Sequence, residues 1–201
     1  MNSIFSKGCN FVYTQRKTNQ RPSLRLPEVA FIGRSNVGKS SLINTLVHSK
    51  KLVRSAKTPG STISINYFNL ADMLLLVDLP GFGYAKRSKA KVRDVGLLIE
   101  NYLFNNEKLS LLIYIIDVRR GINKFSADLM RTLNQEHLDV LIVLSKIDKV
   151  SQNCCGMIAE EIKQRFSKDK GFKGVLSISS TKNLGLEELR NFIFKHCLQN
   201  E

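Results

Sequence analysis

Gly33-Arg34-Ser35-Asn36-Val37-Gly38-Lys39-Ser40 is the stretch that decides the fold of this chain. It fits G-x-x-x-x-G-K-[S/T], a loop that wraps nucleotide phosphates. The apolar run Val29-Ala30-Phe31-Ile32 before it predicts a strand, and Ser41-Leu42-Ile43-Asn44-Thr45-Leu46 after it predicts the start of a helix. Glycines allow the backbone to turn tightly around an anion. The helix N-terminus then presents unpaired N–H groups to it. The expected cradle runs from Gly33 through Arg34, Ser35, Asn36, Val37 and Gly38 to Ser41. Within it, Lys39 is placed to reach the β and γ phosphates and the Ser40 hydroxyl to bind Mg²⁺. The motif alone does not separate ATP from GTP.

Working outward, strands and helices alternate. Thr62 to Leu70 alternates β-branched and aromatic residues with polar ones and predicts a sheet-edge strand. Met73–Val77, Leu109–Ile116 and Val140–Leu144 are solid apolar runs, as expected of strands covered on both faces. Helices are predicted near 39–48, 91–104, 125–136, 154–168 and 185–196, with a weaker strand at 174–178. The pattern predicts an α/β fold, a three-layer P-loop NTPase. Its sheet is mostly parallel, about six-stranded, with one antiparallel edge strand. Residues 1–21 read as a basic arm with a short extended piece near Phe11-Val12-Tyr13, and 22–201 as a single nucleotide-binding domain.

Ligands of such sheets bind at the carboxyl ends of the strands, and the chemistry-bearing residues fall there. Asp78 ends an apolar run and is followed by Leu79-Pro80-Gly81. A carboxylate there can hold Mg²⁺ through its water shell, and the Gly81 N–H can sense a γ-phosphate. Ser145-Lys146-Ile147-Asp148 follows the Val140–Leu144 run. The Asp148 carboxylate can accept from both N1–H and the exocyclic amine of guanine, a donor pair that adenine lacks. The Lys146 stem can pack along base and ribose. Ser179 and Ser180 follow the last strand, where a backbone N–H can donate to guanine O6; the same run would equally cap a helix. Thr58, ahead of Pro59-Gly60 in a basic loop, can join the metal shell when a γ-phosphate is present. Phe82 follows Gly81 and cannot orient a water by hydrogen bonding. The Asn36 side chain offers another source of charge, a carbonyl oxygen for a monovalent cation. Slow intrinsic turnover is expected.

Among the 201 residues, 31 are basic and 17 acidic, a net charge of +14 that favours a polyanionic partner. Basic residues concentrate in Lys50, Lys51 and Arg54, and again in Lys86, Arg87, Lys89, Lys91 and Arg93, just beyond the γ-phosphate sensor. No run is long and apolar enough to predict a transmembrane helix, and the N-terminus lacks a signal peptide's apolar stretch. The four cysteines have no zinc-like spacing. Free thiols of a cytoplasmic protein account for them most simply.

The ordered set of motifs is similar to that of the translation-factor-related small GTPases. Within that group it resembles the bacterial ribosome-biogenesis GTP-binding family called EngB or YsxC. The residues that carry the resemblance are PEVAFIGRSNVGKSSLIN at 27–44, KTPG-x-T at 57–62 and VDLPGFGYAK at 77–86, and it extends over roughly 22–198. It implies a first switch around Thr58, Pro59, Gly60 and Thr62, with Thr58 or Thr62 on Mg²⁺, and a second switch from Asp78. It assigns guanine specificity to Lys146 and Asp148, with Ser179 and Ser180 closing over the base. It further implies Mg²⁺ and GTP or GDP as cofactors, a potassium role at Asn36, and assistance to large ribosomal subunit assembly through rRNA. A link to cell division and a monomeric state complete the expectation. Ser145 departs from the asparagine usual in GTPases, which braces the phosphate loop; serine is expected to reach less far. A metabolic P-loop kinase would leave Asp148 behind a lysine unexplained. A basic membrane or septum protein would need an anchor or amphipathic face. A scaffold without turnover differs from a switch in a potassium-dependent hydrolysis assay.

Overall fold

A computed structural model describes residues 3–18, 20–53, 64–83 and 88–199. Seven strands form one sheet, in the order β1-β3-β4-β2-β5-β6-β7. The strands are β1 (Cys9–Gln15), β2 (Glu28–Gly33), β3 (Ile65–Leu70), β4 (Leu74–Asp78), β5 (Leu109–Asp117), β6 (Val140–Ser145) and β7 (Phe172–Ser177). The helices are α1 (Lys39–Leu46), α2 (Lys89–Phe104), α3 (Lys124–Gln135), α4 (Gln152–Phe166) and α5 (Leu186–Leu198).

Side chains on a strand alternate between faces, and the core divides accordingly. Ala30, Ile32, Leu75 and Val77 pack with Leu98 and Tyr102 of α2, Met130 and Leu133 of α3, and Ile162 and Phe166 of α4. Val29, Phe31, Leu74 and Leu76 pack on the other face with Leu42, Ile43 and Leu46 of α1 and Leu189 and Ile193 of α5. With helices over both faces, β2, β4 and β6 are buried along their whole length. That burial is why their sequences read as unbroken apolar runs.

The sheet differs from expectation at one side. β3 is antiparallel to both neighbours, but it is not the edge: β1 pairs with it from Cys9↔Leu70 to Gln15↔Ile65, with an irregularity between Phe11 and Tyr13. The sheet therefore has seven strands rather than about six. The segment read as a short extended piece of a basic arm is a full outer strand. Buried polar pairing holds it: the Tyr67 hydroxyl donates to Gln15 Oε1 at 2.6 Å, and Thr14 Oγ1 donates to Asn66 Oδ1 at 2.9 Å. Gln15 is fully buried, and such a position is hidden in a polar, basic stretch of sequence.

The register fixes the place of the site. Phe31 lies beside Asp78, Gly33 beside Ile115, Asp117 beside Ser145, and Leu144 beside Ser177. The carboxyl ends of β2, β4, β5, β6 and β7 thus form one rim. Among the described residues no helix is long and apolar enough to cross a membrane.

Candidate guanine-nucleotide site

The phosphate loop leaves β2 at Gly33 and enters α1 at Lys39. A Cβ on Gly33 would stand 2.7 Å from the Ile115 carbonyl oxygen and 3.0 Å from Val37 Cγ1, so the loop passes too close to β5 for any side chain. Asn36 has φ 63°, a left-handed conformation that asparagine tolerates, and is exposed. Gly38, at φ 106°, is the N-cap of α1 and gives it no side-chain cap. The first N–H groups of the helix therefore face the loop. Lys39 pairs directly with Asp78 Oδ1, both side chains about nine-tenths buried, which joins the start of α1 to the end of β4. Ser40 and Ser41 follow in the first turn.

After Asp78, Leu79 and Pro80 are buried and the chain returns to the phosphate loop. The Phe82 N–H donates to the Gly33 carbonyl at 3.3 Å, and the Ser35 N–H donates to the Phe82 carbonyl at 3.0 Å. The Ser35 hydroxyl donates to the same carbonyl at 3.3 Å. A Cβ on Gly81 would stand 3.0 Å from Ser35 Oγ and 3.3 Å from the Ser35 backbone, so any side chain there would press Ser35 back by a few tenths of an ångström. The Phe82 ring packs 5.0 Å from Phe125 and 6.3 Å from Tyr114. Its ring anchors the loop, and only its backbone bonds.

At the other end, buried Ser145 reaches further than its length suggested. Its hydroxyl bonds to the Val37 carbonyl at 2.8 Å, with the Ile116 carbonyl at 3.2 Å. Serine thus braces the phosphate loop as the longer asparagine would, because β6 ends hard against Val37. Lys146, at φ 62°, lies across the loop and donates to the Asn36 carbonyl at 2.7 Å and to Asp117 Oδ2 at 2.9 Å. Asp148 Oδ1 accepts from the Ser179 hydroxyl at 2.6 Å. That bond, with Lys149 3.2 Å from the other oxygen, holds the Asp148 carboxyl below its ordinary range. Buried Ser179 is fixed in turn by paired backbone bonds with Leu184. Ser179 therefore positions Asp148, and Ser180 is the more exposed of the two.

Sequence reasoning missed the role of Asp117. Buried at the end of β5, it takes a two-point contact from Arg119, Nε at 2.9 Å and Nη2 at 2.6 Å, besides Lys146. These cations, Arg119 first, hold its carboxyl well below the usual carboxylate range. The available signal was an apolar strand ending in aspartate, the same pattern that marked Asp78.

Thr58, Pro59, Gly60, Thr62, Arg54, Lys86 and Arg87 lie outside the described residues. Lys89 and Lys91 begin α2. Arg93 on α2, and Lys50 and Lys51 after α1, are exposed.

The phosphate loop, the Lys39–Asp78 pair and the Asp148 carboxylate fixed by Ser179 thus stand along one rim of the sheet. Residues 28–146 match the family described as "50S ribosome-binding GTPase", and residues 102–199 match the elongation factor Tu GTP-binding domain. The protein described as "Probable GTP-binding protein EngB" of Lactobacillus helveticus is 36% identical over 187 residues, covering 93% of this chain and 95% of that one.

The chain belongs to the EngB family of GTP-binding proteins.

The EngB protein of Wolbachia pipientis is 41% identical over 160 residues, 79% of this chain and 81% of that one. A crystal structure of a probable GTP-binding protein engB superposes with a TM-score of 0.71 at 24% identity, covering 86% of this chain and all of that one. Aquifex aeolicus Era bound to GDP and AlF4⁻ superposes at 0.70 with 22% identity, covering 88% of this chain and 58% of that one. As an EngB-type P-loop GTPase, the protein hydrolyses GTP.

Proposed function

We propose that this EngB protein is a GTP–Mg²⁺ switch of the cytoplasm. It docks as a monomer on the RNA of the large ribosomal subunit or its precursor, assists assembly, and leaves after hydrolysis. The observation that carries the reading is a net charge of +14 on a GTPase whose family description names the 50S ribosome. Cell division and septation would then depend on it through the supply of subunits.

The donor set fits Mg²⁺. Asp78 supplies a hard carboxylate oxygen within reach of the first turn of α1, Ser40 is in that turn, and Thr58 or Thr62, outside the described residues, is the proposed third donor. When bound, the ion would supply positive charge to offset that of the phosphates. Around it, the loop amides and Lys39 orient the phosphates, and Asp148 and Lys146 hold the base. Phe82 has no atom to align a water, so the intrinsic rate is low. Asn36, exposed in the phosphate loop, is the residue proposed for K⁺, and hydrolysis is expected to rise when K⁺ replaces Na⁺.

The test is pelleting with large subunits and their precursors, with GDP and a non-hydrolysable GTP analogue, across a salt series. Triphosphate-dependent, salt-sensitive pelleting supports the reading. Tight GTP binding without nucleotide-dependent pelleting overturns it.

A further inference from the structure

A polar recess of about 210 Å³ opens on the outer wall of the phosphate loop, between that loop and the turn from β5 into α3. It shares Arg34 to Val37 with the phosphate cradle, but Gly38, Lys39 and Ser40 do not line it. Arg34, Arg119 and Arg120 line it together with Lys146, against the single carboxylate of Asp117. Asp117 is already engaged, one oxygen by Arg119 Nε and the other by Arg119 Nη2 and Lys146. Among the described residues neither Arg34 nor Arg120 has a carboxylate within ion-pair distance. Arg34 is nonetheless partly buried, packed where a Cβ on Gly83 would stand 3.4 Å from its Nε. A partly buried guanidinium without a counter-charge is costly, and an anion in the recess removes that cost. Other recess groups also suit an anion. The Tyr114 hydroxyl donates to Ser126 Oγ at 2.8 Å, which leaves the Ser126 proton to give.

We infer that this recess binds a backbone phosphate of RNA, clamped by Arg34, Arg119 and Arg120. The inference rests on the proposed docking to ribosomal RNA and places one contact of that docking. Guanidinium forks suit phosphate oxygens in a planar, two-point manner, and the basic balance of the chain favours RNA over a small free anion. The recess shares its wall, Arg34 to Val37, with the nucleotide cradle. A phosphate that draws Arg119 away from Asp117 therefore alters the support of Lys146. Linkage requires RNA and nucleotide to change each other's affinity by the same factor.

The experiment measures binding of the full chain, loaded with GTP analogue, to deproteinised large-subunit ribosomal RNA across a salt series. Wild type is compared with Arg120→Ala, Arg120→Lys and Lys168→Ala, the last removing an equal charge from an exposed position beyond α4. GDP affinity of every variant reports an intact fold. Arg120→Ala is expected to weaken RNA binding about fivefold and to lower the salt dependence by about one phosphate contact. Arg120→Lys, which keeps the charge but not the fork, should fall between wild type and Arg120→Ala, and Lys168→Ala should keep nearly all the affinity. Equal weakening by Arg120→Ala and Lys168→Ala overturns the recess as a site and leaves docking standing. No RNA binding by wild type overturns both. Inorganic phosphate titrated alone is the remaining arm. Phosphate that binds with an Arg120-dependent affinity matching that of the RNA assigns the recess to a free anion and overturns the RNA assignment.

Discussion

The two ends of the nucleotide site are built differently. At the base end, each group proposed for nucleotide contact is held by another side chain: Asp148 by Ser179, Lys146 by Asp117, and the phosphate loop by Ser145. At the γ-phosphate end the two charged groups, Lys39 and Asp78, hold each other. The second switch there closes on the loop through the backbone of Phe82. On the proposed reading, the first arrangement is held in place before nucleotide arrives, and the second exchanges partners when phosphate and metal bind. On that reading specificity sits at a rigid end and response at an exchanging one.

The largest expected effect tests the exchanging end. Lys39→Ala should lower GDP and GTP affinity by about 100-fold, since it deletes a charge-assisted phosphate contact. It should also lower the melting temperature by leaving Asp78 buried without its partner. Lys39→Ala combined with Asp78→Asn should recover the melting temperature but not the affinity; recovery of neither would remove the claim that the pair is mutual support.

At the rigid end, Asp148→Asn should reverse base preference from guanine towards xanthine, by on the order of 100-fold in the ratio of affinities. Competition between GDP and XDP reads this directly. Asp117→Asn should weaken GDP binding about tenfold. If Asp117 acts through Lys146, the same change made in Lys146→Ala should cost little, whereas additive losses would make Asp117 a general fold residue.

The smallest effect is one of pH. The folded-state pKa of Asp148 is depressed, chiefly by the Ser179 hydroxyl. The charged carboxylate therefore persists below the ordinary carboxylate range, and its contribution is lost only as pH falls through the lowered value. Ser179→Ala should move the acid limb of GDP binding upward in pH while leaving affinity at pH 7 within a few-fold. An unmoved limb would show that Ser179 does not set the charge of Asp148.

Much of this was legible in the sequence for identifiable reasons. Strands covered on both faces spell themselves out as apolar runs, so β2, β4, β5 and β6 were readable, as were the residues at the ends of β2, β4 and β6. Asp78 and Asp148 stood in motifs whose spacing is imposed by the nucleotide. What escaped depended on contacts distant along the chain. Gln15 is buried only because Tyr67, 52 positions later, bonds to it. Asp117 matters only because Lys146, 29 positions later, turns back onto it. Ser145 looked too short because the separation of β6 from Val37 is not written in either segment.

The outer strand β1 has a consequence beyond completing a sheet. β3 runs against its neighbours, and without Cys9–Gln15 its free side would be a bare row of N–H and C=O groups. Such a row is a template onto which a strand from another chain can add. β1 therefore moves the sheet's edge from β3 to itself, where the irregularity between Phe11 and Tyr13 interrupts the row. A chain shortened to begin after Gln15 should still carry every nucleotide-binding residue, yet assemble edge to edge through β3.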